Sequence, residues 1–311
     1  MMLKRNFSIT LISLILMRML SCTQNASISK DVQVATSIFP ISDIAKNIAG
    51  NKAEVFFVVP DGANPHTYEP VPSVVKKLQH VDLFLGIHPD FDGWIEDYLP
   101  EKAKLTFLNR TFYEDDYTNH DHSQHDDYEY EKSHQHRENP HIWLSVRNAK
   151  RIAERITLEF ASLDEKNHSQ YERNMNSYLN ELDRLDDKIA ALFETVKMKM
   201  FIQYHPAWDF FAKDYGLDIV GTIESGHGDE PSVRELKSLI DKAKEEQVKV
   251  IVIGLNLESK AAEVLKREID GVLVRLDSIG SPKLPERSNF LEMMTRNAKI
   301  LADALNTDTS H

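Results

Sequence analysis

The sequence predicts an α/β protein of two Rossmann-like lobes, each a parallel sheet covered by helices, joined by a single long rigid helix. Three observations carry this. Short apolar strand patterns alternate with helical patterns from residue 32 onward. The strands are nearly continuous apolar runs, as strands buried on both faces require. One stretch, "SQYERNMNSYLNELDRLDDKIAALFETV" (169–196), interrupts the alternation with an amphipathic pattern far longer than its neighbours.

In chain order, "VQVATSIF" (32–39) and "KAEVFFVVP" (52–60) are strand patterns. The helix between them begins at Pro40, suited to a first turn, and stops at Gly50. Then follow a helix over 72–80, a strand over 82–87, a helix over 91–99 and a strand over 104–109. A histidine-rich stretch (115–138) intervenes before a helix over 146–163. In the long stretch the apolar residues are Tyr171, Met175, Tyr178, Leu182, Leu185, Ile189, Leu192 and Val196, without Gly or Pro. At roughly 1.5 Å per residue it spans about 40 Å, the length of a strut between lobes. The second half predicts strands over 198–204, 218–223, 248–255 and 271–276. Its helices fall over 206–216, 231–247, 259–271 and 287–306. Ser232 and Glu235 have capping-box spacing and mark the clearest helix start. The lobes are therefore expected at 31–165 and 198–311, with the linking helix at 166–197.

The first residues are not fold. Lys4 and Arg5 precede a short apolar run, Phe7 to Met17, too short to span a bilayer but suited to export. Residues 1–22 are read as a signal peptide. The run ends at Met19-Leu20-Ser21-Cys22, which resembles a bacterial lipoprotein box, with Arg18 and Leu20 departing from the usual pattern. Cys22 is the only cysteine, so the chain has no internal disulfide, and a lipid attachment point explains it. The expected location is the periplasm or cell surface, held to the membrane by that lipid. A formal charge of −12 speaks against a nucleic-acid partner and suits cations.

Parallel α/β sheets bind ligands beyond the carboxyl ends of their strands. Four metal-capable residues fall there. His66 lies in the loop after the strand 52–60, and His205 directly follows the strand 198–204. Asp277 directly follows the strand 271–276, and His141 sits between a strand and a helix, with Pro140 before it. Three imidazoles and one carboxylate make a plausible tetrahedral set for a borderline divalent ion. Each position also has a bland reading, as a cap, a surface histidine or a turn aspartate. Neutral imidazole ligands would release metal as pH falls below about 6.

At this point the residues become recognisable. "PDGANPHTYEPVPSVVKKLQHVDLFL", "NPHIWLSVRNAKRIAE", "HPAWDFFAKDYGLDIVG", "GDEPSVRELKSLI" and "VLVRLDSIG" resemble the zinc/manganese solute-binding proteins of bacterial metal ABC transporters. The resemblance runs in order from about residue 32 to 305. It implies two lobes bridged by a rigid helix and one metal in the cleft between them. It carries over the ligands as His66, His141, His205 and Asp277. The third ligand varies in the family between His and Glu, and His205 leans toward Zn²⁺, with Mn²⁺ the alternative. The implied role is capture of the ion by a monomer and its delivery to a membrane permease, with no catalysis. Two departures stand out. Asn139 replaces an Asp often found before Pro-His, so any orienting contact to His141 falls to its amide oxygen. "GLNLES" replaces a more usual Glu-Pro-Gln stretch.

Between Asn119 and Leu144 lie six of the thirteen histidines. Only His141 belongs to the resembling motif. His120, His122, His125, His134 and His136 stand among acidic residues with no apolar periodicity and are expected to form weak secondary metal sites. "HDHSQH" (120–125) nearly matches a hydrolase metal run, but Gln124 takes the carboxylate position. A metal-dependent hydrolase and a surface adhesin are the competing readings. His88 and His227 are expected at the surface, His227 with a possible approach to the cleft.

Overall fold

The computed structural model describes residues 32–112, 139–224 and 230–307. Cys22 and the export segment, the secondary histidines His120, His122, His125, His134 and His136, and His227 lie outside the described residues.

Two four-stranded parallel sheets organise the chain. The first holds β1 (Val32–Thr36), β2 (Ala53–Phe57), β3 (Leu83–Gly86) and β4 (Lys104–Phe107), in the order β2-β1-β3-β4. The second holds β5 (Met200–Gln203), β6 (Asp218–Thr222), β7 (Val250–Gly254) and β8 (Val272–Leu276), in the same arrangement, β6-β5-β7-β8. Central strands such as β3 and β7 are buried almost throughout, because helices cover both faces.

The helices are α1 (Phe39–Ala49), α2 (Pro72–Leu78), α3 (Pro89–Asp92), α4 (Val146–Leu163) and α5 (His168–Glu194). In the second half follow α6 (Asp209–Tyr215), α7 (Val233–Glu245), α8 (Lys260–Glu268) and α9 (Phe290–Asn306). α4 matches its predicted bounds. α7 starts with the expected capping box, Ser232 and Glu235 satisfying each other's backbone N–H. The expected helix at 91–99 is instead the single turn of α3 followed by a 3₁₀ helix, Gly93–Tyr98. The fully buried Asp92 carboxylate accepts the N–H groups of Ile87 and His88, which ties this turn back to the end of β3. Pro100 follows and ends the run. His88 is the N-cap of α3, its Nδ1 accepting from the N–H of Asp90, rather than a free surface ring.

α5 is one unbroken helix of 27 residues. Its buried stripe is Tyr171, Tyr178, Leu182, Leu185, Ile189 and Phe193. Phe193 takes the inward place expected of Leu192, which is only partly buried. The stripe packs on α1 and α4 from the first half and on α9 and α6 from the second. A single hydrophobic core runs from β1 through α5 to α9. The helix is thus a spine inside a shared core as well as a strut. The described residues from 32 to 307 belong to one compact unit. Among the described residues, no helix is long and apolar enough to cross a membrane.

Candidate metal centre

The carboxyl ends of the strands point the site residues at one another. His66 lies in the loop between β2 and α2, where its own N–H donates to the side chain of Asn64. His141 lies between β4 and α4. It is followed by a buried 3₁₀ turn, Ile142–Leu144, and by Ser145, which caps α4 and donates to Asp214 of α6. His205 lies in the loop after β5, one residue beyond Tyr204. Gln203 braces that loop by accepting the N–H of Trp208 and donating to Asp209 and Thr222.

The three rings meet. Centroid separations are 5.4 Å for His66–His141, 5.2 Å for His66–His205 and 4.9 Å for His141–His205. One nitrogen from each ring lies within 4.8 Å of the others, a group able to hold a metal ion. Nε2 of His141 and Nε2 of His205 are 3.2 Å apart. Two nitrogens bound to one tetrahedral zinc at about 2.05 Å are separated by about 3.3 Å.

The opposite ring edges fix the tautomers. Asn139 donates through Nδ2 to the carbonyl of Pro206 and to Asp209, so its oxygen faces His141. That oxygen lies 2.7 Å from His141 Nδ1, which therefore carries the proton. Asn139 fulfils the amide-oxygen expectation. His205 Nδ1 lies 2.9 Å from Glu224 Oε2 and donates to it. With both Nδ1 protons committed, two Nε2 lone pairs face each other. They repel until a cation comes between them.

The surroundings favour the neutral form of His66 and His141. Phe91 packs edge-on against His66 and His141, and Trp143 packs against His141. Burial lowers the pKa of His66 from 6.5 to about 4, with the neighbouring His205 adding to the effect and Glu224 opposing it. His66 nonetheless keeps part of its surface in solvent and is the most open of the three. Burial holds His141 well below the ordinary histidine value, helped by His205 and His66.

Asp277 does not join this group. Its Oδ1 accepts the N–H groups of Ile279 and Gly280, and its Oδ2 accepts from Arg287 Nη1 at 2.6 Å. Its backbone is clasped by the fully buried amide of Asn297. Gly280 permits the tight return with φ +65, and a Cβ there would stand 2.9 Å from Phe39. In this structure the Asp277 carboxylate is half of a buried ion pair with Arg287. Glu224 was missed. It lies two residues beyond the end of β6, so the strand-end rule applies to it as well, but the pairing of β6 beside β5 is not written in the sequence.

The family model for ZnuA, the periplasmic component A of a zinc-uptake complex, matches residues 34–304. The chain belongs to this family. It is 26% identical to the zinc-binding lipoprotein AdcA of Streptococcus pneumoniae serotype 4, over 96% of this chain and 60% of AdcA. It therefore spans about 60% of the length of that relative. It is 28% identical to the high-affinity zinc uptake system protein ZnuA of Bacillus subtilis, over 92% of each. A crystal structure of a ZnuA superposes with a TM-score of 0.72 at 29% identity, covering 88% of this chain and 99% of that one.

Proposed function

We propose that this ZnuA-family protein is an extracytoplasmic solute-binding protein that captures Zn²⁺ and delivers it to the permease of an ABC transporter. The observation that carries the reading is the facing pair of Nε2 atoms, 3.2 Å apart with both Nδ1 protons committed elsewhere. A divalent cation between them engages both lone pairs at once. The proposed ligands are His66, His141 and His205, with water completing the set. The zinc-named relatives support the choice of ion, and so does an all-imidazole donor set. Mn²⁺ prefers carboxylate oxygen, and Asp277 is held away by Arg287. The chain is read as a carrier without catalysis, acting as a monomer, with lobes at 31–165 and 198–311 and the linking helix at 166–197. Export and lipid attachment at Cys22 belong to the same proposal, supported by the lipoprotein name of the streptococcal relative. The test is metal analysis of protein purified without chelators, followed by competition between zinc and manganese. One zinc per chain that excess manganese does not displace is expected. Protein that binds neither ion, or that hydrolyses a lactam or phosphoester, would end this reading.

A further inference from the structure

Glu224 is buried at the end of β6, on the Nδ1 side of His205 and away from the Nε2 atoms that face each other. Strand register explains the meeting. Gln203 lies opposite Thr222 in the β5–β6 pair, so two residues further along His205 stands opposite Glu224. The backbone is tied at the same point, the N–H of Glu224 donating to the carbonyl of Tyr204 at 2.8 Å. The origin of the carboxylate and the origin of the imidazole are therefore fixed relative to one another by the sheet. His205 itself is only half-buried, and its ring nitrogens meet His141 on one side and this carboxylate on the other.

We propose that Glu224 is a positioning residue of the metal centre, holding His205 through Nδ1 so that Nε2 is aimed at the ion. The proposal rests on the three-imidazole reading of the site. Asn139 does the same for His141 with a neutral oxygen. The two outer partners sit on opposite walls, one before the 3₁₀ turn of the first lobe and one at the end of β6. A carboxylate partner also raises the electron density of its imidazole, which strengthens the bond to a divalent ion. Asp277 cannot take this role, since both of its oxygens are occupied by its own loop and by Arg287.

The experiment measures zinc affinity by competition with a chromophoric chelator, in full-length wild type and in Glu224→Ala, Glu224→Gln, Glu224→Asp and His205→Ala. The visible bands of the Co²⁺-substituted proteins report ligand geometry. Glu224→Ala is expected to weaken zinc by about 10–100-fold and to shift the Co²⁺ bands. Glu224→Gln keeps an oxygen at the same reach, so it should recover most of the affinity and the wild-type bands. Glu224→Asp keeps the charge but shortens the reach, and should fall with alanine. Wild-type affinity and bands in Glu224→Ala would overturn the proposal, as would a glutamine variant as weak as alanine. Should the alanine variant not fold, the remaining pair decides, and a tight aspartate with a weak glutamine overturns the role. His205→Ala separates the two readings. If it binds zinc like the wild type, the three-imidazole site itself fails; if it is weak while Glu224→Ala is normal, only the role of Glu224 fails.

Discussion

The chemistry of the site is set by what each ring nitrogen has left to do. In His141 and His205 one nitrogen is spent on Asn139 or Glu224, which leaves a single lone pair, aimed inward. Replacing His66, His141 or His205 by alanine should weaken zinc by more than the roughly 10–100-fold that loss of an outer partner costs. Asp277→Ala should behave differently. It leaves zinc affinity nearly unchanged but strands Arg287, costing about 3 kcal/mol of folding stability, which chemical denaturation would measure. A zinc affinity that collapses in Asp277→Ala would restore the carboxylate as a ligand. The pH response follows from burial. In the unfolded chain His66 binds a proton near pH 6.5, but in the folded protein without metal it does so only at about 4. The unfolded state therefore binds more protons between these values, and stability present above pH 6.5 is lost as pH falls toward 4. The same depression at His141 protects zinc binding from acid. Between pH 6 and 5 the number of protons displaced per zinc bound should stay below three, the limit for three ordinary imidazoles. The lowered pKa values of His66 and His141 should soften the steep release expected below about pH 6. Titrations of apo-protein melting and of zinc affinity against pH check both statements.

At the scale of elements, α5 decides how far the two sheets act as one. Its inward stripe is shared, so a defect there is felt by both halves. Leu182 is fully buried at mid-helix. Leu182→Ala should cost about 2–5 kcal/mol, from lost transfer energy and the cavity left behind. Urea unfolding followed by near-ultraviolet dichroism should show this as one shifted transition. Two separated transitions would mean that the lobes unfold independently and that the shared core contributes little. The loops carrying the histidines are braced by their own elements, Gln203 behind His205 and the capped start of α4 behind His141. The His66 loop is tied at Asp61 to Ser281 and Lys283 and locally through Asn64, and its ring is the most exposed of the three.

For the molecule as a whole, metal binding is a folding term. Free zinc a thousandfold above Kd adds about 4 kcal/mol. For a cooperative unit as large as residues 31–311, that raises the melting temperature by about 7 °C. Scanning calorimetry should give that shift in a single peak. The histidine-rich stretch should contribute nothing to it. Deleting Asp115 to Arg137 is expected to keep one tight zinc per chain and to remove weaker binding at His120, His122, His125, His134 and His136. Isothermal titration would resolve the two classes, and loss of the tight class on deletion would place a primary ligand in that stretch.

The sequence by itself determined the α/β class, the order of the elements, the 27-residue helix and the three histidines at strand ends. These are local signals: apolar runs, a period of three and four, caps, and residues next to strand ends. Asn139 was legible because it neighbours His141. Glu224 was not, because its meeting with His205 depends on which strands lie side by side, and a parallel neighbour can be any strand in the chain. Asp277 stands apart from the three histidines for the converse reason. Its position after β8 is as well placed as that of His141 after β4, yet the outcome turns on Arg287, Gly280 and Asn297 folding back upon it. Likewise, one amphipathic stripe reads the same whether it separates two lobes or fuses them, and only packing against α1, α4, α6 and α9 decided for a shared core. Local pattern sets what each segment is. Which side chains share a pocket is set by pairings between segments far apart in the chain, and those exist only once the sheets have formed.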